Sequence, residues 1–315
     1  MMLLNELALE RCRLLIERPE SFAIGVSRTE SGVRVLDCGV QFRGGIEAGL
    51  ALAEVCMAGL GRVELTSAQP EIWEGPFVQA VTDHPVAACM ASQYAGWQIA
   101  AEGYFAMGSG PMRAARGRED LLKHIGIKEN PGEVVGVLES NRTPPDSVCQ
   151  QIAADCGVAA DRVTLLVAPT SSLAGDIQVV ARTVETCLHK MHELGFDLSQ
   201  VVSGYGIAPL PPVAAEDLVG IGRTNDAVLY GGQVTLWLRG DDDDLQQLAP
   251  RIPSCASPDF GSPFAEIFQR YEYDFYKIDP LLFSPAQVTL INLNTGGSHR
   301  FGQWMPDVLR QSFAG

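Results

Sequence analysis

The sequence predicts an α/β chain of two comparable lobes, and three observations lead there. Strand-like and helix-like segments alternate along all 315 residues, without an internal repeat. Apolar residues make up 46% and charged residues 19%, a globular balance that supports a substantial core. A proline pair, Pro144–Pro145, falls near the middle of the chain. The expected organisation is therefore an N-terminal α/β lobe over 1–143 and a C-terminal α/β lobe over 144–315, with lobes that need not be continuous. Pro211–Pro212 is a second boundary candidate.

Taken in order, MMLLNELALERCRLLIERPESF is charged throughout and reads as an amphipathic helix, not as a signal peptide. FAIGVSRTESGVRVLDCGV reads as two strands around the turn TESG. GGIEAGLALAEVCMAGLG is a helix bounded by glycine, and RVELTSA a strand. The stretch 77–111 holds a strand, a run of small residues and a further strand-like run. REDLLKHIGI is a short amphipathic helix and EVVGVLES a strand. NRTPPDSV turns into the helix SVCQQIAADCG, with Asp146 as the expected N-cap. RVTLLVAP is a strand. A helix follows in which Leu173, Ile177, Val180, Val184, Cys187 and Leu188 mark one apolar face. AVLYGGQVTLWLRG reads as a strand pair, DDDD at 241–244 as a solvated loop, and the C-terminal region as loops and one long strand.

Composition excludes several function classes. The net charge is −15, which repels phosphate backbones, so nucleic acid is not an expected partner. No apolar run reaches the roughly 20 residues of a membrane span. The eight cysteines form no CxxC pair and no zinc-ligand spacing. A cytoplasmic, reduced protein without a structural metal is the expectation. With only four lysines, the Lys/Glu enrichment of hyperthermophiles is absent.

Four segments carry polar groups that a core does not need. ACMASQYAGW sets Ser92, Gln93, Tyr94 and Trp97 among alanines and a glycine, where a flat ligand can approach the backbone. A tightly packed helix start or strand end accounts for it equally. FAMGSGPMRA has a GSG turn containing Ser109, with Arg113 nearby, a weak anion-loop signal that lacks both Walker and GxGxxG spacing. GRTNDAVLYGG carries Arg223, Thr224, Asn225 and Asp226 in succession, as an exposed loop or a pocket rim would. In FYKIDPLLFSPA, Asp279 precedes a proline and reads as a turn acid. His84 and the GYG at 204–206 offer no nucleophile elbow. Arg182 and Glu185, three apart on the helical pattern, form either a surface pair or a tuned acid in a pocket.

NELAL, ACMASQYAGW, FAMGSGPMRA, TLLVAPTSSLAGDIQVVARTVETCLHK, GRTNDAVLYGG, GSPFAEIFQ and FYKIDPLLFSPA occur in that order and span nearly the whole chain. Together they resemble the methenyltetrahydromethanopterin cyclohydrolase family, and the low lysine count resembles a bacterial member. The resemblance implies two α/β lobes with a cleft between them, a homo-oligomer, most simply a trimer, and no metal or redox cofactor. It implies reversible hydrolysis of a 5,10-methenyl pterin to the 5-formyl compound, as in formaldehyde oxidation by methylotrophs. A reduced-pterin-binding protein without activity is the alternative.

By the same resemblance Glu185 is the catalytic carboxylate and Arg182 the basic residue beside it. Arg182 favours the charged carboxylate and burial favours the neutral acid, a balance that suits a group acting as base and then as acid. Asn225 and Asp226, with Thr224, suit the donor–acceptor edge of the pterin. Tyr94 or Trp97 suits stacking on a ring. Ser92 and Gln93 are expected to line the same substrate site. Ser109 and Arg113 suit a phosphate in the substrate tail.

Overall fold

The computed structural model describes residues 3–101, 103–274 and 277–314. Met1 and Met2 of the expected N-terminal helix, Glu102 of the strand-like run, and Phe275 and Tyr276 of FYKIDPLLFSPA lie outside these. The chain forms two compact units, Met1–Arg62 with Ala87–Val179, and Val63–Val86 with Val180–Gly315. Pro144–Pro145 thus lies inside the first unit and Pro211–Pro212 inside the second. Pro145 holds extended backbone immediately before a helix, so the pair shapes a turn within a unit.

The first unit is built on a six-stranded mixed sheet of β1 (Gly25–Arg28), β2 (Arg34–Asp37), β5 (Trp97–Ala101), β6 (Tyr104–Ser109), β7 (Val134–Glu139) and β8 (Val163–Ala168). The order is β1-β2-β8-β7-β6-β5. The pairs β2–β8 and β8–β7 are parallel and lie centrally. Their sequences are accordingly apolar almost without alternation, because both faces are covered. On one face Val134, Leu138, Val163, Leu165 and Val167 meet α3 (Met112–Arg116) and α5 (Asp146–Cys156). On the other, Val135, Val137, Leu166 and Ala168 meet α1 (Leu4–Glu17) and α2 (Ile46–Cys56). The period-two alternation of strand side chains divides the core in this way. A short helix, α4 (Asp120–His124), packs with α3 through Leu122 and Ala114.

The second unit carries another six-stranded sheet, ordered β12-β11-β10-β9-β4-β3. Its strands are β3 (Gly61–Thr66), β4 (Phe77–Thr82), β9 (Val201–Pro209), β10 (Gln233–Leu238), β11 (Gln287–Asn292) and β12 (Ser298–Gly302). β10 and β11 pair in parallel and alternate buried with half-buried residues. Helix α7 (Thr183–Glu193) lies on β9 and β10. Helix α8 (Asp217–Gly231) packs on β9 and against α10 (Phe264–Arg270) and α11 (Pro306–Ala314). The long apolar pattern from Leu173 to Leu188 is two helices, α6 (Leu173–Val180) and α7, separated at Ala181–Arg182.

Four local expectations are corrected. Asp146 is not the N-cap of α5; Pro145 holds that position, and the Asp146 carboxylate accepts from the backbone N–H and hydroxyl of Ser31 in the β1–β2 turn. AVLYG is the last part of α8 rather than a strand, so only QVTLWL is extended. The DDDD run is not a loop. Asp241 caps α9 (Asp242–Leu248) by accepting from the N–H groups of Asp243 and Asp244, and the other three acids occupy the first turn, where the helix dipole offsets their repulsion. The C-terminal region holds two strands, β11 and β12, paired antiparallel around LNTGG.

Candidate active site

The best candidate site lies in the second unit, at the break that precedes α7. Thr183 donates its hydroxyl to the Val180 carbonyl at 2.7 Å, giving a partner to the last residue of the interrupted helix α6. Arg182 is the N-cap of α7, with φ −81° and ψ 10°, and its carbonyl accepts from Thr186 N–H at 2.9 Å. Glu185 therefore sits in the first turn, where the helix dipole favours a carboxylate. Both side chains are buried, Arg182 at 7% and Glu185 at 4% exposure. That excludes the surface-pair reading, because a pair in this position is shielded from bulk water.

The first turn of α7 is held close to the sheet. A Cβ on Gly206 of β9 would lie 2.8 Å from Val184 Cγ2, 3.1 Å from Val184 N and 3.2 Å from Thr183 Cβ. A Cβ on Gly204 would lie 2.8 Å from Val184 Cγ1. The GYG sequence is thus a platform that lets helix backbone approach strand backbone. Further along α7, Lys190 is buried at 1% exposure and donates to the Leu281 carbonyl. Sequence reasoning passed over this lysine, because HKMHE looks like a solvated helix end.

In the first unit, ACMASQYAGW begins in a π-helical run, Val86–Gln93, closed by Tyr94 N–H donating to the Cys89 carbonyl at 2.8 Å. Such runs recur at functional sites. Ser92 is fully buried and donates to the Cys56 carbonyl at 2.6 Å. Gln93 is also buried, and its carbonyl accepts from the Cys56 thiol. The Ser109 hydroxyl, buried as well, lies 3.3 Å from the Cys56 sulfur. Gly110 adopts φ +85° and donates its N–H back to the Ser92 carbonyl, which draws the GSG turn onto the π-helical run.

Arg113 is fully buried and forms an ion pair with Glu119. Its other guanidinium nitrogen donates to the carbonyls of Met90 at 3.0 Å and Ser92 at 3.3 Å. This network ties the segment together, and the Arg113 carbon lies 4.9 Å from the Tyr94 ring centroid. Trp97 is buried under Arg116, whose carbon is 4.3 Å from the indole. Tyr94 is half-buried.

NELAL has a structural part that the sequence did not reveal. Asn5 is fully buried, donates to the Pro111 carbonyl and to Glu129, and accepts from Val135 N–H, each at 2.9 Å. It thereby fixes the residue that follows the GSG turn.

The GRTNDAVLYGG residues lie on α8. Thr224 is buried and donates to the Gly220 carbonyl, while half-buried Asn225 donates to the Ile221 carbonyl. The fully buried Asp226 accepts from Phe264 N–H at 2.8 Å, at the start of α10. Burial pushes its carboxyl up to about 7, against the opposing hydrogen bonds from Ser312 and Phe264. Asp279 caps the short 3₁₀ turn Pro280–Leu282 and also accepts from the Ser257 hydroxyl at 2.6 Å. Among the described residues, no group of three or more His, Cys, Asp or Glu is placed to hold a metal ion.

The structure thus sets a buried carboxylate and a buried guanidinium at one helix start on an α/β scaffold. The family model described as Cyclohydrolase (MCH) matches residues 3–313. A methenyltetrahydromethanopterin cyclohydrolase of Rhodopirellula baltica is 49% identical over 290 residues, covering 90% of this chain and 87% of that protein. One from Methylobacillus flagellatus is 44% identical, covering 98% and 94% of the two chains, and one from Methanospirillum hungatei is 41% identical, covering 99% of each. This chain belongs to the methenyltetrahydromethanopterin cyclohydrolase family.

Proposed function

We propose that Glu185, with Arg182 beside it, is the acid–base machinery with which this chain reversibly hydrolyses 5,10-methenyl-tetrahydromethanopterin to the 5-formyl compound. The supporting observation is the burial of both side chains at the start of one helix, Arg182 at its N-cap and Glu185 in its first turn, in a chain of this family. The enzyme is a cyclohydrolase of one-carbon metabolism.

The methenyl bridge is part of a delocalised amidinium-like cation, so its carbon is already electrophilic. A water oxygen adds to that carbon while Glu185 takes one of the water protons. The bond from the carbon to N10 then breaks as the same carboxyl delivers a proton to N10, and the hydroxyl on the carbon releases its proton to solvent, leaving the formyl group on N5. Acid–base assistance of this kind contributes on the order of 10²–10⁴-fold. Arg182 stabilises the oxygen charge that develops as the hydroxyl gives up its proton.

Of the binding residues named from sequence, Tyr94 in the first unit and Asn225 in the second are half-buried, with side chains open to a ligand, whereas Ser92, Gln93, Trp97, Ser109, Arg113, Thr224 and Asp226 are buried. A homotrimer in the cytoplasm completes the reading. No described helix is long and apolar enough to cross a membrane.

The test is Glu185→Gln. The variant keeps its fold and its substrate binding, measured by unfolding and by equilibrium titration, and loses at least about two orders of magnitude in turnover. Near-normal turnover removes Glu185 from this role.

A further inference from the structure

We propose that Lys190 is a positioning residue for this reaction: its buried ammonium fastens α7, the helix that carries Glu185, to the Asp279–Leu282 turn. The proposal rests on the assignment of Glu185 above. It also gives a role to KIDPLLFSPA, which the chemistry of the site leaves without one.

The other three lysines of the chain are exposed, and Lys190 is not. A buried ammonium is costly unless it is paired and hydrogen-bonded, so an apolar side chain would fill this place more cheaply. What the ammonium adds is direction. It donates to the Leu281 carbonyl, inside a turn that Asp279 already holds by accepting Leu281 N–H at 3.0 Å and the Ser257 hydroxyl at 2.6 Å. The turn is therefore rigid where the lysine grips it. Five residues, about 7–8 Å of helix rise, separate Lys190 from Glu185. The packing of Val184 on Gly204 and Gly206 fixes the start of α7, and Lys190 fixes its second half against tilt and rotation. A catalytic carboxylate tolerates little misplacement, since about 1 Å can cost 10²-fold in rate.

The charge of the brace depends on pH. Burial lowers the Lys190 ammonium to about 8, Arg251 pushes the same way, and Asp279 opposes them; the Cys187 and Cys255 thiols also face the ammonium, Cys187 kept neutral by its own burial. Loss of that proton removes the attraction to Asp279 and leaves only a weaker, neutral N–H donor to the Leu281 carbonyl, which loosens the hold on α7. The wild-type kcat is accordingly expected to decline on the alkaline side with a midpoint near 8.

The experiment measures kcat and KM from the disappearance of methenyl absorbance between about pH 6 and 10, for the wild type, Lys190→Met and Asp279→Asn. Lys190→Met preserves side-chain length without charge. Its kcat is expected to fall at least tenfold with KM within about twofold, and the alkaline decline to vanish. Asp279→Asn retains an acceptor for Leu281 N–H but withdraws the charge that holds the lysine proton, so the decline should move to lower pH. This second variant carries the test if Lys190→Met does not fold. Wild-type turnover and an unaltered pH profile in folded Lys190→Met overturn the proposal, as does an unmoved decline in Asp279→Asn. An active Glu185→Gln overturns the carboxylate assignment instead, so the two failures are distinguishable.

Discussion

Gly206→Ala tests whether the close seating of α7 on β9 sets the catalytic geometry. The new methyl would point at the first turn of the helix, 2.8 Å from Val184 Cγ2 and 3.1 Å from the Val184 backbone nitrogen. A rotamer change relieves the first contact but not the second. The helix start, or the strand beneath it, must then move by a few tenths of an ångström. Overpacking of this kind costs about 1–3 kcal/mol, set against a gain of about 0.4–1 kcal/mol from stiffening the unfolded chain. A net loss of about 1–2 kcal/mol lowers the melting temperature by about 1.5 °C per kcal/mol, since an unfolding entropy of about 2.1 cal/mol/K per residue accrues over 315 residues. Glu185 moves with the turn, so kcat should fall by several-fold to tenfold, with a smaller change in KM. The assay pairs initial rates over a range of substrate concentrations with thermal unfolding by circular dichroism. Adding Val184→Ala removes the side-chain clash and leaves the backbone one, so the double variant should recover only part of the lost rate. Wild-type kcat in folded Gly206→Ala would refute the argument that this contact positions the carboxylate.

Two further predictions concern charged groups. Arg182→Lys keeps the charge but loses the planar fork, and turnover should drop at least tenfold, about 1.4 kcal/mol of barrier; unchanged turnover and pH profile would leave Arg182 with only its place at the helix start. Asp226→Asn should raise stability above neutrality. The folded carboxyl sits near 7 and an ordinary one at 3.8, so the folded state binds its proton more tightly and wild-type stability falls as pH rises between those values. The full effect is on the order of 4 kcal/mol. Asparagine keeps the acceptor for Phe264 N–H without the charge, so its melting temperature should exceed the wild type's at pH 8 and approach it near pH 4. A constant difference across that range would refute the burial argument.

Much of the fold is legible from periodicity, and the exceptions have physical causes. Apolar spacing of three and four marks α1, whose buried Leu4, Ala8, Cys12 and Leu15 lie on one stripe. Unbroken apolar runs mark β7 and β8. The same spacing hides the break at Ala181–Arg182, because Val180 and Val184 keep the stripe continuous across it. AVLYG has strand-like composition, and only its packing against the sheet and neighbouring helices makes it helical. Four adjacent aspartates suggest a loop until one of them caps a helix and the dipole accommodates the rest.

The candidate site was legible in a different sense. Motif and spacing drew attention to Arg182 and Glu185, but that both are buried could not be read there, because the close seating of this helix start rests on Gly204 and Gly206 some twenty residues later. The polar residues of the other motifs were conspicuous because cores rarely need them. In the fold, Ser92, Arg113, Thr224 and Asp226 spend their hydrogen bonds on neighbouring backbone, helix starts and one buried ion pair. Asn5 does the same beneath the GSG turn. Buried polar groups that satisfy one another hold the backbone around them in one arrangement. Lys190 extends that logic to the helix bearing the acid: no helical pattern announces it, because its partner, Leu281, lies 91 residues away in sequence.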